Sequence, residues 1–191
     1  MQALKNIVTN IFIVLGLSLG LMISATALDD FDEMFQVQVL ISRAQEAVIT
    51  DEELLSFEGK KALAEQGNVW SQFYLGLMYY EGEGVSQDYG KAVKWFQRAA
   101  NQGNVLSQYN LGVMYYEGEG VTQDYAQAVE WFQRAANQGD VWSQFYLGVL
   151  YSNGYGVRQS KVTAKEWFGK TCDRRYQYGC DKYRELNEQG Y

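Results

Sequence analysis

Histidine and proline are both absent from the 191 residues, and cysteine occurs only twice. Without histidine, the Ser-His and Cys-His arrangements that activate a nucleophile cannot be built, which excludes most hydrolases that depend on them. No imidazole is available to complete a zinc site, and the two cysteines are not spaced as a C-x-x-C redox pair. Positive charge is scarce: 16 Lys and Arg stand against 23 Asp and Glu. The resulting formal charge of −7 argues against nucleic acid, whose phosphates demand a basic face. It equally disfavours electrostatic docking on anionic lipid. No Ser-x-x-Lys segment occurs, and Ser160-Lys161 is an isolated dipeptide. No cofactor or metal is expected.

What is present is ample apolar content, 47%, with 15% aromatics, enough for a folded core. Residues 1–27 read as a signal peptide. Lys5 supplies the positive start, Ile11 to Ile23 the uncharged apolar stretch, and Ala25-Thr26-Ala27 a small-x-small cleavage site. The apolar run is short for a spanning helix, which needs about 20 residues. Cleavage after Ala27 is the expectation, and an uncleaved N-terminal anchor is the competing reading. No cysteine lies near the site to carry a lipid. On either reading the remainder, one domain in size, is exported, periplasmic or secreted, and no further membrane contact is expected.

The stretch Asn68 to Gly103 returns at Asn104 to Gly139, differing at eight of its 36 positions without a gap, and again more loosely at Asp140 to Arg175. A fixed period of this length signals a solenoid whose units bury their apolar faces only by stacking. Within one unit, Ser71, Leu75, Met78 and Tyr79 share a face at helical spacing, and Gly76 beside them admits a close neighbour. This is helix A. Glu81-Gly82-Glu83-Gly84-Val85 interrupts it, and helix B follows from an N-cap candidate at Asp88, with Ala92, Val93, Phe96, Ala99 and Ala100 on its apolar face. Short loops make the pairs antiparallel. The expected fold is therefore all-α, a right-handed α/α solenoid of antiparallel helix pairs with three repeats, 68–103, 104–139 and 140–175, and a partial unit at 176–191.

Residues 28–67 do not match the unit. Phe31 to Ile41 followed by the polar SRAQEAV reads as one amphipathic helix. Thr50 with Glu53 three residues on forms a capping box that opens a second helix through Ala64. Ala64 lies one period before Ala100, so this helix is a degenerate half-repeat. An N-terminal cap is the simpler reading of 28–67; a partner-binding or dimerising helix is the alternative.

The pattern in Leu75, Gly76, Tyr79, Gly82, Gly84, Val85, Ala92, Trp95, Phe96, Ala99 and Ala100 resembles the Sel-one-like repeat (SLR), a relative of the tetratricopeptide repeat with a 36-residue period. The resemblance covers 68 to 191. It implies an α-solenoid that acts as an adaptor or binding scaffold, and it implies no reaction, so the chain is not read as an enzyme. The proline that closes many tetratricopeptide units is absent, and Asn-Gln-Gly serves as the turn. In the third repeat the Ala-Ala pair becomes Thr171-Cys172, and Cys180 follows. The segment looks like the cysteine-rich secreted branch of the family, where a C-x7-C pair staples adjacent helices. A structural Cys172–Cys180 disulfide is expected, and export favours it. A loop of that size gains roughly 2–3 kcal/mol in the chain-entropy model.

The paired carboxylates Glu81 with Glu83 and Glu117 with Glu119 flank turn glycines that recur because the fold recurs. Solvated turn residues are the simpler reading, against a weak calcium site or a glycosidase-like pair. A second stripe on helix A lies opposite its packing face: Trp70, Phe73, Tyr74 and Leu77, then Leu106, Tyr109, Asn110 and Val113, then Trp142, Phe145, Tyr146 and Val149. One reading makes the stripe ordinary core between repeats, with Phe73, Tyr109 and Phe145 its best candidates. The other makes Trp70, Tyr74, Leu106, Asn110, Trp142 and Tyr146 an aromatic groove on the concave helix-A surface for a protein or peptide. Two functions follow: an exported scaffold, adaptor or inhibitor of a secreted protein, or, by family association alone, a hydrolase of cell-wall or β-lactam substrates. Sequence does not name the partner or the oligomeric state.

Overall fold

The computed structural model describes residues 56–191, which lie within one compact unit. The signal peptide, the amphipathic stripe from Phe31 and the capping box at Thr50 lie outside the described residues. Among those described, eight helices and no strand occur: α1 Phe57–Glu65, α2 Val69–Glu81, α3 Tyr89–Asn101, α4 Val105–Glu117, α5 Tyr125–Asn137, α6 Val141–Asn153, α7 Lys161–Asp173 and α8 Gln177–Glu188. Each packs on its neighbours in the chain, which makes an α/α solenoid of helix pairs. Helices α2, α4 and α6 are the A helices and α3, α5 and α7 the B helices.

Local chemistry sets the boundaries. Asn68, Asn104 and Asp140 cap the A helices, each side chain accepting the amide of Ser71, Ser107 or Ser143. Gly82, Gly118 and Gly154 end them in the left-handed conformation, with φ of 77°, 80° and 76°. Asp88, Asp124 and Ser160 open the B helices. One boundary departs from the sequence reading. Helix α1 begins at Phe57 rather than at the Thr50 capping box, because the extended Ser56 is its N-cap and accepts the Gly59 amide at 3.1 Å.

Within each pair the two helices touch at a glycine. A Cβ on Gly76, Gly112 or Gly148 would lie 2.6, 2.5 or 2.5 Å from a ring carbon of Phe96, Phe132 or Phe168. Those three rings are among the largest fully buried side chains. Between pairs the contact is polar. Gln72, Gln108 and Gln144 are buried and donate to the carbonyls of Ala64, Ala100 and Ala136 at 3.0, 3.1 and 3.2 Å, a second hydrogen bond for groups at the end of the preceding helix that also accept the amides of Gly67, Gly103 and Gly139. Gln102 and Gln138 then donate to the Oε1 atoms of Gln72 and Gln108, both at 2.8 Å. The next position in register is Arg174, and the buried Oε1 of Gln144 is left without a hydrogen bond.

Cys172 and Cys180 are joined, tying the end of α7 to the first turn of α8. Within this loop Arg175 has φ of 64° at the register position of Gly67, Gly103 and Gly139. A left-handed residue with a Cβ costs about 1–2 kcal/mol. Arg175→Gly is therefore expected to stabilise the protein by about 1 kcal/mol and raise its melting temperature by about 3 °C. A lower melting temperature in oxidised protein would show that the arginine side chain contributes more than its backbone costs.

Candidate functional site

The six stripe residues proposed as a groove fall into two environments. Trp70, Leu106 and Trp142 stand in the first turns of α2, α4 and α6 and are 56%, 42% and 50% exposed; Tyr74 is 48% exposed. Asn110 is half-buried and donates to the Leu106 carbonyl of its own helix at 2.8 Å. Tyr146 is half-buried, its ring stacked on Phe132 with centroids 4.7 Å apart. Tyr74 and Tyr146 share a register but not surroundings, because Tyr146 has Tyr109 and Tyr116 of a complete preceding repeat beside it, at 6.2 and 5.5 Å. Phe73 is buried, and Tyr109 and Phe145 pack against the core.

Between α2 and α4 lies a depression of about 400 Å³ lined by Val69, Trp70, Gln102, Gly103, Asn104, Val105 and Leu106. Gln102 and Gly103 of the Asn-Gln-Gly turn line it together with the exposed Trp70 and Leu106.

Tyr176 is a further member of this face that the sequence reading missed. It occupies the register position of Asn68, Asn104 and Asp140 but makes no side-chain cap. Its ring instead meets Trp142 at 4.8 Å and Phe145 at 5.3 Å, and continues to Tyr178 at 5.8 Å. The loss of a capping residue at a position otherwise filled by Asn or Asp was the available signal. Rings then run without a break from Tyr178 through Tyr176, Phe145, Tyr146, Tyr116 and Tyr125 to Tyr155. The Tyr80–Tyr89 and Tyr116–Tyr125 contacts at the other end of the repeats are replaced in the third by Lys161 donating to Ser152 Oγ at 2.8 Å.

Acidic groups border the rings. Tyr80 donates its hydroxyl to Glu119 at 2.8 Å, so one of the paired turn carboxylates joins two repeats. Partial burial, then the Glu119 hydrogen bond and charge, push the Tyr80 hydroxyl up to about 12. Tyr109 is pushed up to about 12 by burial, with Tyr146 and Asp140 adding to it. Tyr116 and Tyr146 are raised by burial, with Glu117 contributing to both. A tyrosine whose folded pKa exceeds its unfolded value near 10 contributes stability that is present below pH 10 and lost as pH rises through 12. Unfolding is thus expected to grow steadily easier between pH 10 and 12, with part of the tyrosinate absorbance appearing only on unfolding. A urea midpoint unchanged across that window would contradict it.

Among the described residues no group of three or more His, Cys, Asp or Glu could hold a metal ion. Nor is any described helix long and apolar enough to cross a membrane.

A family model described as Sel1 repeat matches residues 71–104, 105–140 and 143–176. Among solved structures, the chain is similar to c5321, described as a protective antigen of uropathogenic Escherichia coli strains displaying an SLR fold. The two are 34% identical with a TM-score of 0.64, over 72% of this chain and 34% of that one. This chain thus spans about a third of that protein's length. A Sel1 repeat protein from Oxalobacter formigenes is also 34% identical, with a TM-score of 0.62, over 67% of this chain and 96% of that one. Cysteine-rich protein B of Helicobacter pylori, 17% identical over 69% of this chain and 96% of its own, has a TM-score of 0.54 and shares the fold. No curated protein matches the chain.

Proposed function

The chain belongs to the Sel1 repeat family, and from that premise we propose that it is an exported scaffold or adaptor that holds a protein or peptide partner on its helix-A face. Sel1 repeat proteins are in general protein–protein interaction scaffolds, and their fold is typically non-enzymatic. The observation that carries the reading is the recurrence of Trp70, Leu106 and Trp142 as exposed apolar side chains at one register position of three successive repeats. Large aromatics supply contact area at low entropy cost and dominate interface hot spots. An exposed apolar row is the kind of surface that a partner covers. Export is supported by the leader expected over 1–27 and by compatibility of the Cys172–Cys180 disulfide with an oxidising compartment. Inhibition of a secreted protein is one form such binding would take.

The test is affinity capture from an envelope extract, wild type against the Trp70→Ala/Trp142→Ala double variant. A protein retained stoichiometrically by the wild type and lost by the variant supports the reading. Equal retention by both would place binding elsewhere.

A further inference from the structure

Among the described residues, four turns lead into α2, α4, α6 and α8. Three read Gln66-Gly67-Asn68, Gln102-Gly103-Asn104 and Gln138-Gly139-Asp140, and the fourth reads Arg174-Arg175-Tyr176. Each replacement in the fourth turn forfeits something the repeated turn keeps. Arg175 holds φ of 64° where the others have glycine. Tyr176 leaves the start of α8 without a side-chain cap. With Arg174 at the position of Gln102 and Gln138, the buried Oε1 of Gln144 accepts nothing, whereas those of Gln72 and Gln108 each accept a hydrogen bond. Local rules broken together at one place point to a site where binding, rather than stability, is served.

What the turn gains is unpaired positive charge. Arg98 and Arg134 lie over the Trp95 and Trp131 rings of their own helices at 4.4 Å, Lys170 lies over Trp167 at 3.7 Å, and Arg184 pairs with Asp181 at 3.5 Å. Arg174 and Arg175 are exposed, and among the described residues their side chains make no ion pair, hydrogen bond or ring contact. The Arg174 guanidinium lies against the neighbouring turn, 3.3 Å from the place a Cβ on Gly139 would take. The carboxylates of this end are engaged elsewhere or unpaired: Asp140 accepts the Ser143 amide at 2.7 Å, Asp181 holds Arg184, and Asp173 forms no ion pair among the described residues. Residues 158–191 carry eight Lys and Arg against five Asp and Glu, whereas 56–157 carry six against ten. A cation in the last turn of α7 also answers the negative end of that helix. Lys170 already stands there, and that role calls for no left-handed arginine. Tyr176 lays its ring against Trp142 at 4.8 Å, so both free arginines stand at the Trp142 end of the helix-A face, where Trp142 and Tyr178 are 50% and 67% exposed.

Resting on the scaffold reading, we propose that the partner segment presents acidic side chains to Arg174 and Arg175, beside an apolar side chain seated on Trp142 and Tyr178. A guanidinium takes a carboxylate through two parallel N–H···O bonds, which fixes direction as well as charge. Complementary charge then sets the register of the segment, and the aromatic surface supplies the contact area. One effect opposes it: the negative end of α7 lies just before both arginines and disfavours an anion. The start of α8, with no side-chain acceptor on it, offsets this from the other side of the turn.

The probe is a fluorescein-labelled nine-residue Gly/Ser peptide carrying two Leu followed by three Glu, compared with a twin in which Gln replaces every Glu. Anisotropy titrations at physiological salt are expected to show the Glu peptide binding about tenfold tighter than its twin. Arg174→Gln and Arg175→Gly, which restore the residues of the other turns, should each weaken the Glu peptide by about threefold, and together bring it to the level of its twin, whose own affinity stays unchanged. Arg175→Gly should weaken binding while melting higher than the wild type, which a loss of folding would not produce. Trp142→Leu should weaken both peptides alike. Arg158→Gln, which removes an exposed arginine from the loop between α6 and α7, should change neither. Equal affinity of the twins, with both lost on Trp142→Leu, would overturn the carboxylate assignment and leave the scaffold reading standing. A loss as large for Arg158→Gln as for Arg174→Gln would mean attraction by net charge and would also overturn the proposal. So would binding of neither peptide, and the scaffold reading would then be decided by the envelope capture alone.

Discussion

Phe132→Ala is expected to destabilise the solenoid by about 3–5 kcal/mol, the range for truncating a fully buried aromatic. Phe132 has no exposed surface, and its ring closes the space where Gly112 has no side chain. Tyr146 stacks on its other side at 4.7 Å and Tyr109 lies at 6.1 Å. The hole left by alanine is walled by helix backbone at Gly112, which cannot move in to fill it without shifting α4 against α5. Against a total stability of about 5–15 kcal/mol for a domain, that loss moves the urea midpoint far enough to read directly. The central repeat is the most sensitive place, since its unfolding removes an interface on both sides. A loss below about 1 kcal/mol would mean that the glycine–phenylalanine contact does not hold the pair together.

The Trp70→Ala/Trp142→Ala double variant is expected to behave in the opposite way. Each ring already has about half its surface in water, so truncation forfeits about 1–2 kcal/mol of stability apiece, and the helical signal and a cooperative melt survive. Partner affinity should fall at least about a hundredfold, since paired hot-spot aromatics cost about 2 kcal/mol or more each. The two substitutions are far apart on separate helices and should add. Together with Phe132→Ala this separates core from surface on one chain. If the tryptophan variant melted as early as the phenylalanine variant, the tryptophans would be structural and the helix-A face would lose its functional reading.

The contrast also marks what the sequence could and could not convey. Register carried the helices, the Asp88 cap and the turn glycines, because each is a local requirement that recurs from repeat to repeat; the Cys172–Cys180 pair came from the family resemblance. Register could not carry Tyr146. That residue repeats Tyr74 in sequence, yet it is held against Phe132 because a complete repeat precedes it. Burial at such positions depends on the neighbour, and a periodic pattern does not distinguish the first unit from the third. The Gln72 and Gln102 ladder was invisible for a different reason: a glutamine at a helix start reads as solvated until the end of the preceding helix is placed beside it. The start of α1 was not read because Ser56 was overlooked as a cap, and its side chain accepts the Gly59 amide. Tyr176 was legible only as a missing cap.

Covalent surface footprinting of the captured complex tests the central claim most directly, because it reports where on the solenoid the partner sits. Trp70, Leu106, Trp142 and Tyr176 should lose labelling on binding, while Trp95, with its own arginine, and the turn residues Glu81 and Glu83 keep theirs. Protection confined to the B helices or to the turns, with Trp70 and Trp142 labelled as in the free protein, would contradict the account.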